Sequence, residues 1–267
     1  IGYPGSTNRY LSSYGIRERR DAQNAPRAQV RGVKQEVMLR HMRADEAVRI
    51  KYDTKYAQSS NYWKNSIGMN KCIDSTGLIQ QKADFEKRIR KYQDETGFLK
   101  GKLDFDLMKS LYDKRLVLMR NYMLLRETFV RSNELADRAL KVHNGMEVKG
   151  SKEKLSKQYV EFEDNSDTWD EALDKEVYAV LLKNFREQAD ADYLPEFFNT
   201  IDRSFGGDYN KYVETLWKNS MLMKKGAKIF INKKSFMKDL GVKMGFDITE
   251  KINDMMVALQ DINDSIQ

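Results

Sequence analysis

Apolar residues recur at helical spacing along most of the chain. The clearest run lies within residues 104–142, where residues spaced three or four apart are apolar: Met108, Leu111, Tyr112, Leu116, Met119, Tyr122, Met123. This spacing places the apolar side chains on one face of a long α-helix. The same criterion predicts helices at 17–52, 53–72, 78–94, 151–188, 193–203, 209–223 and 250–266. Pro26 could break the first of these, because proline lacks a backbone N–H group.

Two short segments depart from the helical pattern. Residues 1–14 begin with Ile1-Gly2-Tyr3-Pro4-Gly5, which predicts the end of a strand followed by a turn, since Pro and Gly suit the central positions of a type II turn. Residues 246–249 are predicted to be extended. The sequence therefore predicts an all-α, multi-helix domain with long helices over residues 15–267, preceded by a short strand and turn over residues 1–14.

Composition and charge narrow the function classes. Charged residues make up 33% of the 267 residues and there are three prolines, which favours helix. The net charge of +7 is unevenly distributed, since residues 151–217 carry 8 basic and 16 acidic side chains, whereas residues 218–243 carry 8 basic and 1 acidic. Alternating blocks of charge match each other or a neighbouring domain better than they match nucleic acid. No apolar run is long enough for a membrane span, and a single cysteine permits no internal disulfide.

The sequence offers little catalytic chemistry. Its two histidines are His41, inside a predicted helix, and His143, at the C-terminal end of another. They lack the spacing of a metal site, and no nucleophile elbow or phosphate loop is present. Cys72 has no neighbouring histidine and is best interpreted as a packing residue. We therefore predict no catalytic residue, no metal ligand and no cofactor within this chain.

One predicted helix has an unusual polar face. Gln58, Asn61 and Asn65 are spaced three and four residues apart, so they line one side of the helix over residues 53–72 without a charge among them. A separate apolar stripe is expected to pack inward, and it consists of Tyr52, Tyr56, Trp63 and Ile67. A neutral amide supplies a donor and an acceptor without a charge of its own. Either these amides bind a polar ligand, or they contact other side chains and water.

Two segments resemble a known family. IGYPGSTNRYLSSYGI, from residue 1, and KYDTKYAQSSNYWKNSIGMNK, from residue 51, are similar to the helical insert of bacterial serine dipeptidyl peptidases, the family that contains dipeptidyl peptidases seven and eleven. The first segment resembles the point at which the chain leaves a chymotrypsin-like barrel, and the second resembles a signature helix of the insert. The resemblance extends over the whole chain as the helical domain alone.

The resemblance implies a larger enzyme. Two β-barrels outside this chain would hold a Ser-His-Asp triad, and the helical domain would cap the cleft, so the chain alone should be inactive. The family releases dipeptides from the free N-terminus of oligopeptides. The implied partners are therefore an oligopeptide substrate and the barrel domain of the same polypeptide, with a homodimer as a further candidate. The implied location is the periplasm.

The resemblance also assigns a role to the amide stripe. In this family an asparagine of the cap contacts the α-ammonium group of the substrate, and Asn61 is the position that matches it, with Asn65 one helical turn away as the second candidate.

The competing interpretation is a free-standing helical module whose charge blocks bind partner proteins. The first residues favour the peptidase, because a strand and turn suit a barrel exit better than the start of an independent bundle.

Overall fold

The computed structural model describes residues 11–147, 159–161, 167–224, 228–230 and 236–266. Within these ranges ten α-helices account for most of the chain: α1 (Ser13–Glu18), α2 (Ala25–Ala44), α3 (Glu46–Ser75), α4 (Leu78–Thr96), α5 (Phe105–Phe129), α6 (Glu134–Glu147), α7 (Glu171–Gln188), α8 (Phe197–Phe205), α9 (Tyr209–Asn219) and α10 (Leu240–Ile266). Strands β1 (Tyr159–Glu161) and β2 (Lys228–Phe230) form an antiparallel pair. The predicted all-α class is confirmed.

The prediction for residues 1–14 lies mostly outside the described residues, which begin at Leu11. The proposed strand and turn at residues 1–5, and the division of the chain at residue 14, stay predictions. Helix α1 begins at Ser13, and the Ser12 hydroxyl caps it by accepting a hydrogen bond from the Gly15 N–H group.

Proline does not end the first long helix. α1 continues into α2 through a π-helical turn at Arg19–Asn24, and Pro26 lies at the start of α2. A wider turn before a proline provides space for its ring and removes the need for its missing N–H group. The rod therefore runs unbroken from Ser13 to Ala44.

Several helix boundaries predicted from the sequence are wrong, including the start of the helix predicted over residues 151–188, because residues 159–161 form β1 and α7 begins at Glu171. The first break falls at Asp45 rather than between residues 52 and 53, because the Asp45 carboxylate accepts a hydrogen bond from the Ala47 N–H group and caps α3. The helix predicted over residues 104–142 is divided between α5 and α6. At that break Arg131 has a positive φ of 56°, and the Asn133 side chain accepts from the Ala136 N–H group.

The core is built from α2, α3 and the helices from α5 to α10. Phe129 lies at its centre and makes edge contacts with Tyr178, Phe185 and Phe197. The predicted extended segment at residues 246–249 is wrong, because these residues lie inside α10, where Met244, Ile248, Met255 and Leu259 are buried at helical spacing. Within the described residues, none of the helices is both long and apolar enough to cross a lipid bilayer.

Candidate functional site

Helix α3 packs against α2 through small side chains as well as aromatic ones. Tyr52 is buried, Tyr56 and Trp63 are half-buried, and Ser59 and Ser66 fill the same inner side. The expectation that Ile67 packs inward is wrong, because its side chain is 42% exposed. The serines allow the two helices to approach closely, a property that the apolar spacing alone did not reveal.

The predicted amide stripe lies on the solvent side of α3. Gln58, Asn61 and Asn65 are all exposed, and none of them makes a side-chain hydrogen bond to another residue in the part of the chain that the structure describes. Their amide donors and acceptors therefore remain available to a ligand. We call these three residues the amide face.

A fourth amide of α3, that of Asn70, is bonded to other residues of the chain instead of facing solvent. The Asn70 side chain donates to the Arg20 carbonyl at 3.0 Å and accepts from the Asn24 amide at 2.8 Å, and Asn24 is buried. These bonds attach the end of α3 to the π-helical turn. Asn70 is therefore satisfied within the chain, whereas Asn61 and Asn65 are not.

The N-terminal half of α3 is fixed by the segment that precedes α7. The Tyr52 hydroxyl donates to the Asp170 carbonyl at 3.3 Å and accepts from the Asp170 N–H group at 3.2 Å. The Lys55 ammonium donates to the Thr168 carbonyl at 2.6 Å. Burial raises the pKa of the Tyr52 hydroxyl, so it stays a neutral donor and acceptor at physiological pH. The amide face is thus carried on a helix that is held near both ends.

An exposed aromatic ring borders the amide face. Tyr62 is 59% exposed, and it lies four residues after Gln58 and three before Asn65, so it neighbours both on the helix surface. The Arg31 guanidinium of α2 lies over the ring, 4.8 Å from its centroid. Sequence analysis missed Tyr62 and Arg31, since the contact joins two helices and neither residue belongs to a motif.

A pair of ionisable side chains lies deeper, near where α2, α6 and α7 meet: Asp174, which is buried, and Lys34, which is partly buried. Burial raises the pKa of Asp174 to about 7, although its carboxylate accepts from the Glu134 N–H group at 3.0 Å. Burial lowers the pKa of Lys34 to about 8, while its ammonium donates to the Ser132 carbonyl at 2.5 Å. This pair supports the α5–α6 junction and does not contact the amide face.

The surroundings of His41 show whether it could act as a catalytic base or a metal ligand. His41 is the histidine whose side chain the structure describes, and its Nε2 atom lies 2.7 Å from Glu176. Among the described residues, no hydroxyl or thiol is hydrogen-bonded to His41, and no three His, Cys, Asp or Glu side chains come together as metal ligands would.

Comparison with solved structures shows the fold. The crystal structure of Porphyromonas endodontalis DPP11 in complex with the dipeptide Arg-Glu superposes with a TM-score of 0.76 at 20% identity, covering 99% of this chain and 39% of that one. The same protein in an alternate conformation gives a TM-score of 0.57 at 16% identity. At these identities the likeness concerns the fold alone.

Sequence relatives are dipeptidyl peptidases of bacteria. The dipeptidyl-peptidase 7 of Phocaeicola vulgatus is 36% identical over 251 residues, which cover 89% of this chain and 33% of that protein. The Asp/Glu-specific dipeptidyl-peptidase of Porphyromonas gingivalis is 28% identical over 230 residues, covering 83% of this chain and 32% of that protein. The chain thus spans about a third of the length of these relatives. The family model of Peptidase S46 matches residues 1–266, and this chain belongs to that family.

Proposed function

We propose that this chain is the helical capping domain of a serine dipeptidyl peptidase that releases dipeptides from the free N-terminus of oligopeptides. In this proposal the catalytic triad lies in a barrel domain outside these 267 residues, and this chain alone is inactive. Its contribution is to recognise the substrate amine and to close the cleft.

The observation that carries the proposal is the amide face. Asn61 and Asn65 are exposed on a rigid helix with no side-chain partner among the described residues, and the chain belongs to a family whose named relatives are dipeptidyl peptidases. A solvated helix face is usually built from Lys and Glu, whose charges are stabilised by water. Three uncharged amides in line are better explained by a ligand that needs acceptors.

The chemistry of a peptide N-terminus fits this face. An α-ammonium group has three donors and no acceptor, and an asparagine carbonyl oxygen accepts one of them without imposing a full charge. A carboxylate from elsewhere in the enzyme would supply the countercharge. An acceptor fixed at one end of the cleft also defines where the substrate begins, which lets an exopeptidase count two residues from the terminus.

The test is the substitution Asn61→Ala in the full-length protein, with Asn65→Ala beside it. We expect Asn61→Ala to reduce kcat/KM for dipeptidyl substrates roughly 5- to 150-fold, a loss of about 1–3 kcal/mol of transition-state stabilisation, because the ammonium loses an acceptor. The Tm should change little, since the side chain is exposed. A larger loss for Asn65→Ala would move the role to Asn65, and unchanged kcat/KM in both variants would refute it.

A second measurement separates this proposal from a free-standing interaction module. An antibody raised against this chain should detect a band much larger than 31.3 kDa in extracts of the source organism, and fractionation should place that band in the periplasm. A band at the mass of the chain itself would favour the interaction module. Size-exclusion chromatography of the native protein would then show whether it forms a homodimer.

A further inference from the structure

Helix α3 is hydrogen-bonded to the rest of the domain at two points on the same side of the helix. Tyr52 forms the first attachment and Asn70 forms the second, and about five full helical turns separate them. Asn61 lies midway, about two and a half turns from each, and therefore points to the opposite side of the helix. The centre of the amide face thus lies between the two attachments and on the outer side of α3.

The first attachment involves three consecutive carbonyl groups of an irregular segment. Residues 168–170 lie outside the helices and strands, directly before α7, and each of their carbonyls accepts a hydrogen bond from a side chain of α3. Tyr52 differs from the other two donors, which are the lysines 51 and 55, because its hydroxyl also accepts from the Asp170 N–H group at 3.2 Å. One hydroxyl thus makes two hydrogen bonds to the backbone of one residue.

The segment that binds Tyr52 is itself fixed to the core. Trp169 packs against the buried core cluster, and the Asp170 carboxylate caps α7 by accepting from the Leu173 N–H group at 2.9 Å. Leu173 is fully buried. Asp170 therefore joins the first turn of α7 to α3, and the partner of the Tyr52 hydroxyl is a backbone that cannot easily move.

Between the two attachments, small residues line the inner side of α3. Ser59 and Ser66 are buried, and their hydroxyl groups have no hydrogen-bond partner in the part of the chain that the structure describes. Van der Waals contact with α2 limits how closely α3 can approach, but it has little directional preference, whereas a hydrogen bond requires a narrow range of distance and angle. The attachments at the two ends therefore determine the axial position and the rotation of α3.

We propose that Tyr52 is a positioning residue for the amide face, and that its hydroxyl holds α3 at the position where Asn61 or Asn65 meets the substrate amine. The inference rests on the proposed function, because it requires an amide of this face to bind the ammonium group. Displacement of a binding group by about 1 Å can reduce turnover about a hundred-fold. Loss of the Tyr52 hydroxyl breaks both bonds to Asp170, so the N-terminal half of α3 becomes free to shift.

The experiment measures the Tm, and kcat/KM for one dipeptidyl substrate, in the full-length protein. Tyr52→Phe removes the hydroxyl and keeps the ring, so the packing of α3 is retained. At a temperature well below the Tm, we expect kcat/KM to fall about three- to tenfold, mainly through a higher KM.

Tyr178→Phe is the matched control. Tyr178 is also buried, and its hydroxyl lies 2.7 Å from the Met244 sulfur, so this contact joins α7 to α10 and does not involve α3. The variant should lower the Tm and leave kcat/KM unchanged. A loss of kcat/KM in Tyr178→Phe equal to that in Tyr52→Phe would show a general loosening of the domain and would overturn the inference.

A double variant shows whether Tyr52 acts through the amide face. Tyr52→Phe is combined with whichever of Asn61→Ala and Asn65→Ala lowers kcat/KM more. Once that asparagine is absent, the hydroxyl has nothing to position, so the double variant should be no slower than the single asparagine variant. Losses that multiply in the double variant would mean that the hydroxyl acts elsewhere, and the inference would be wrong.

The single variants separate this inference from the proposed function. If neither Asn61→Ala nor Asn65→Ala reduces turnover, the proposed function fails, and the positioning role of Tyr52 fails with it. If one of them reduces turnover but Tyr52→Phe leaves kcat/KM unchanged, only the present inference is overturned.

Discussion

The indole nitrogen of Trp63 on α3 lies so close to Gly32 on α2 that a Cβ atom placed on Gly32 would come within 3.3 Å of it. The absence of a side chain at residue 32 thus sets the depth to which Trp63 enters the α2–α3 interface. Trp63 is two residues from Asn61, so this depth also sets the position of the amide face.

A larger residue at this point should disturb both stability and substrate binding. We expect Gly32→Val to lower the free energy of unfolding by about 1–3 kcal/mol, because it overpacks the contact with Trp63. Under the proposed function, it should also raise KM for dipeptidyl substrates in the full-length protein, since the amide face moves with the indole. Urea titration and steady-state kinetics measure the two effects.

Gly68 provides the matched control. It also lies inside a helix, but a Cβ atom there would meet nothing within 4 Å. Gly68→Ala should therefore stabilise the protein by about 0.5–1 kcal/mol, since alanine restricts the unfolded chain more than glycine does. Equal effects of Gly32→Val and Gly68→Val on stability would show that the contact with Trp63 does not limit packing.

Removal of the Glu127 carboxylate should be costly. Its two oxygens accept from Arg27 and Arg31, so Glu127→Gln leaves two half-buried cations sharing a neutral amide. We expect a loss of about 1.5–3 kcal/mol in the free energy of unfolding. Glu95→Gln is the control, because Glu95 and Lys91 form an exposed pair at 3.7 Å and such pairs contribute about 0–1 kcal/mol. A similar loss of unfolding free energy in both variants would contradict the expectation that the Glu127 contacts stabilise the fold more than the exposed Lys91–Glu95 pair does.

The sequence revealed the helices but not where they break. Asp45 is a capping residue followed by Glu46, which is visible in the sequence, yet the helical pattern continues across it and hides the break. The division of α5 from α6 at Arg131 depends on a positive φ that no propensity of arginine predicts. Such features arise from tertiary contacts, such as the bond from Lys34 to the Ser132 carbonyl.

The amide face was predictable because it needs only helical spacing and residue type. Its apolar border was not, because the contact of Tyr62 with Arg31 depends on how α2 and α3 pack. The exposure of Ile67 was missed for a related reason. Serines at 59 and 66 occupy the interface, and a pattern based on hydrophobicity assigns serine to solvent.

The segment at residues 246–249 gives a further prediction. Gly245, which directly precedes this segment, lies inside α10, where a Cβ atom would come within 2.8 Å of the Ala139 carbonyl oxygen. Gly245→Ala should therefore separate α10 from α6 and cost about 1–3 kcal/mol of stability, despite the higher helix propensity of alanine. Thermal unfolding measures this loss. An increase in the Tm of Gly245→Ala would indicate that α10 can shift away from α6 without a loss of stability.

The buried carboxyl of Asp174 predicts a dependence of stability on pH. Its pKa is raised from 3.8 to about 7, first because burial disfavours the charged form. Between these two values the folded protein holds a proton that the unfolded chain has lost. The free energy of unfolding should therefore fall as pH rises from about 4 to about 7.

The substitution Asp174→Asn isolates this contribution. The asparagine keeps an oxygen that can accept from the Glu134 N–H group but does not titrate, so the variant should lose less stability than the wild type between pH 4 and 7. Lys34 stays protonated over most of this range, since its pKa is about 8. Asp247, whose pKa is raised to about 6, contributes a slope of the same sign in both proteins, which cancels in the comparison. Parallel curves of unfolding free energy against pH for the two proteins would mean that Asp174 is ionised in the folded state throughout, with Lys34 as its counterion.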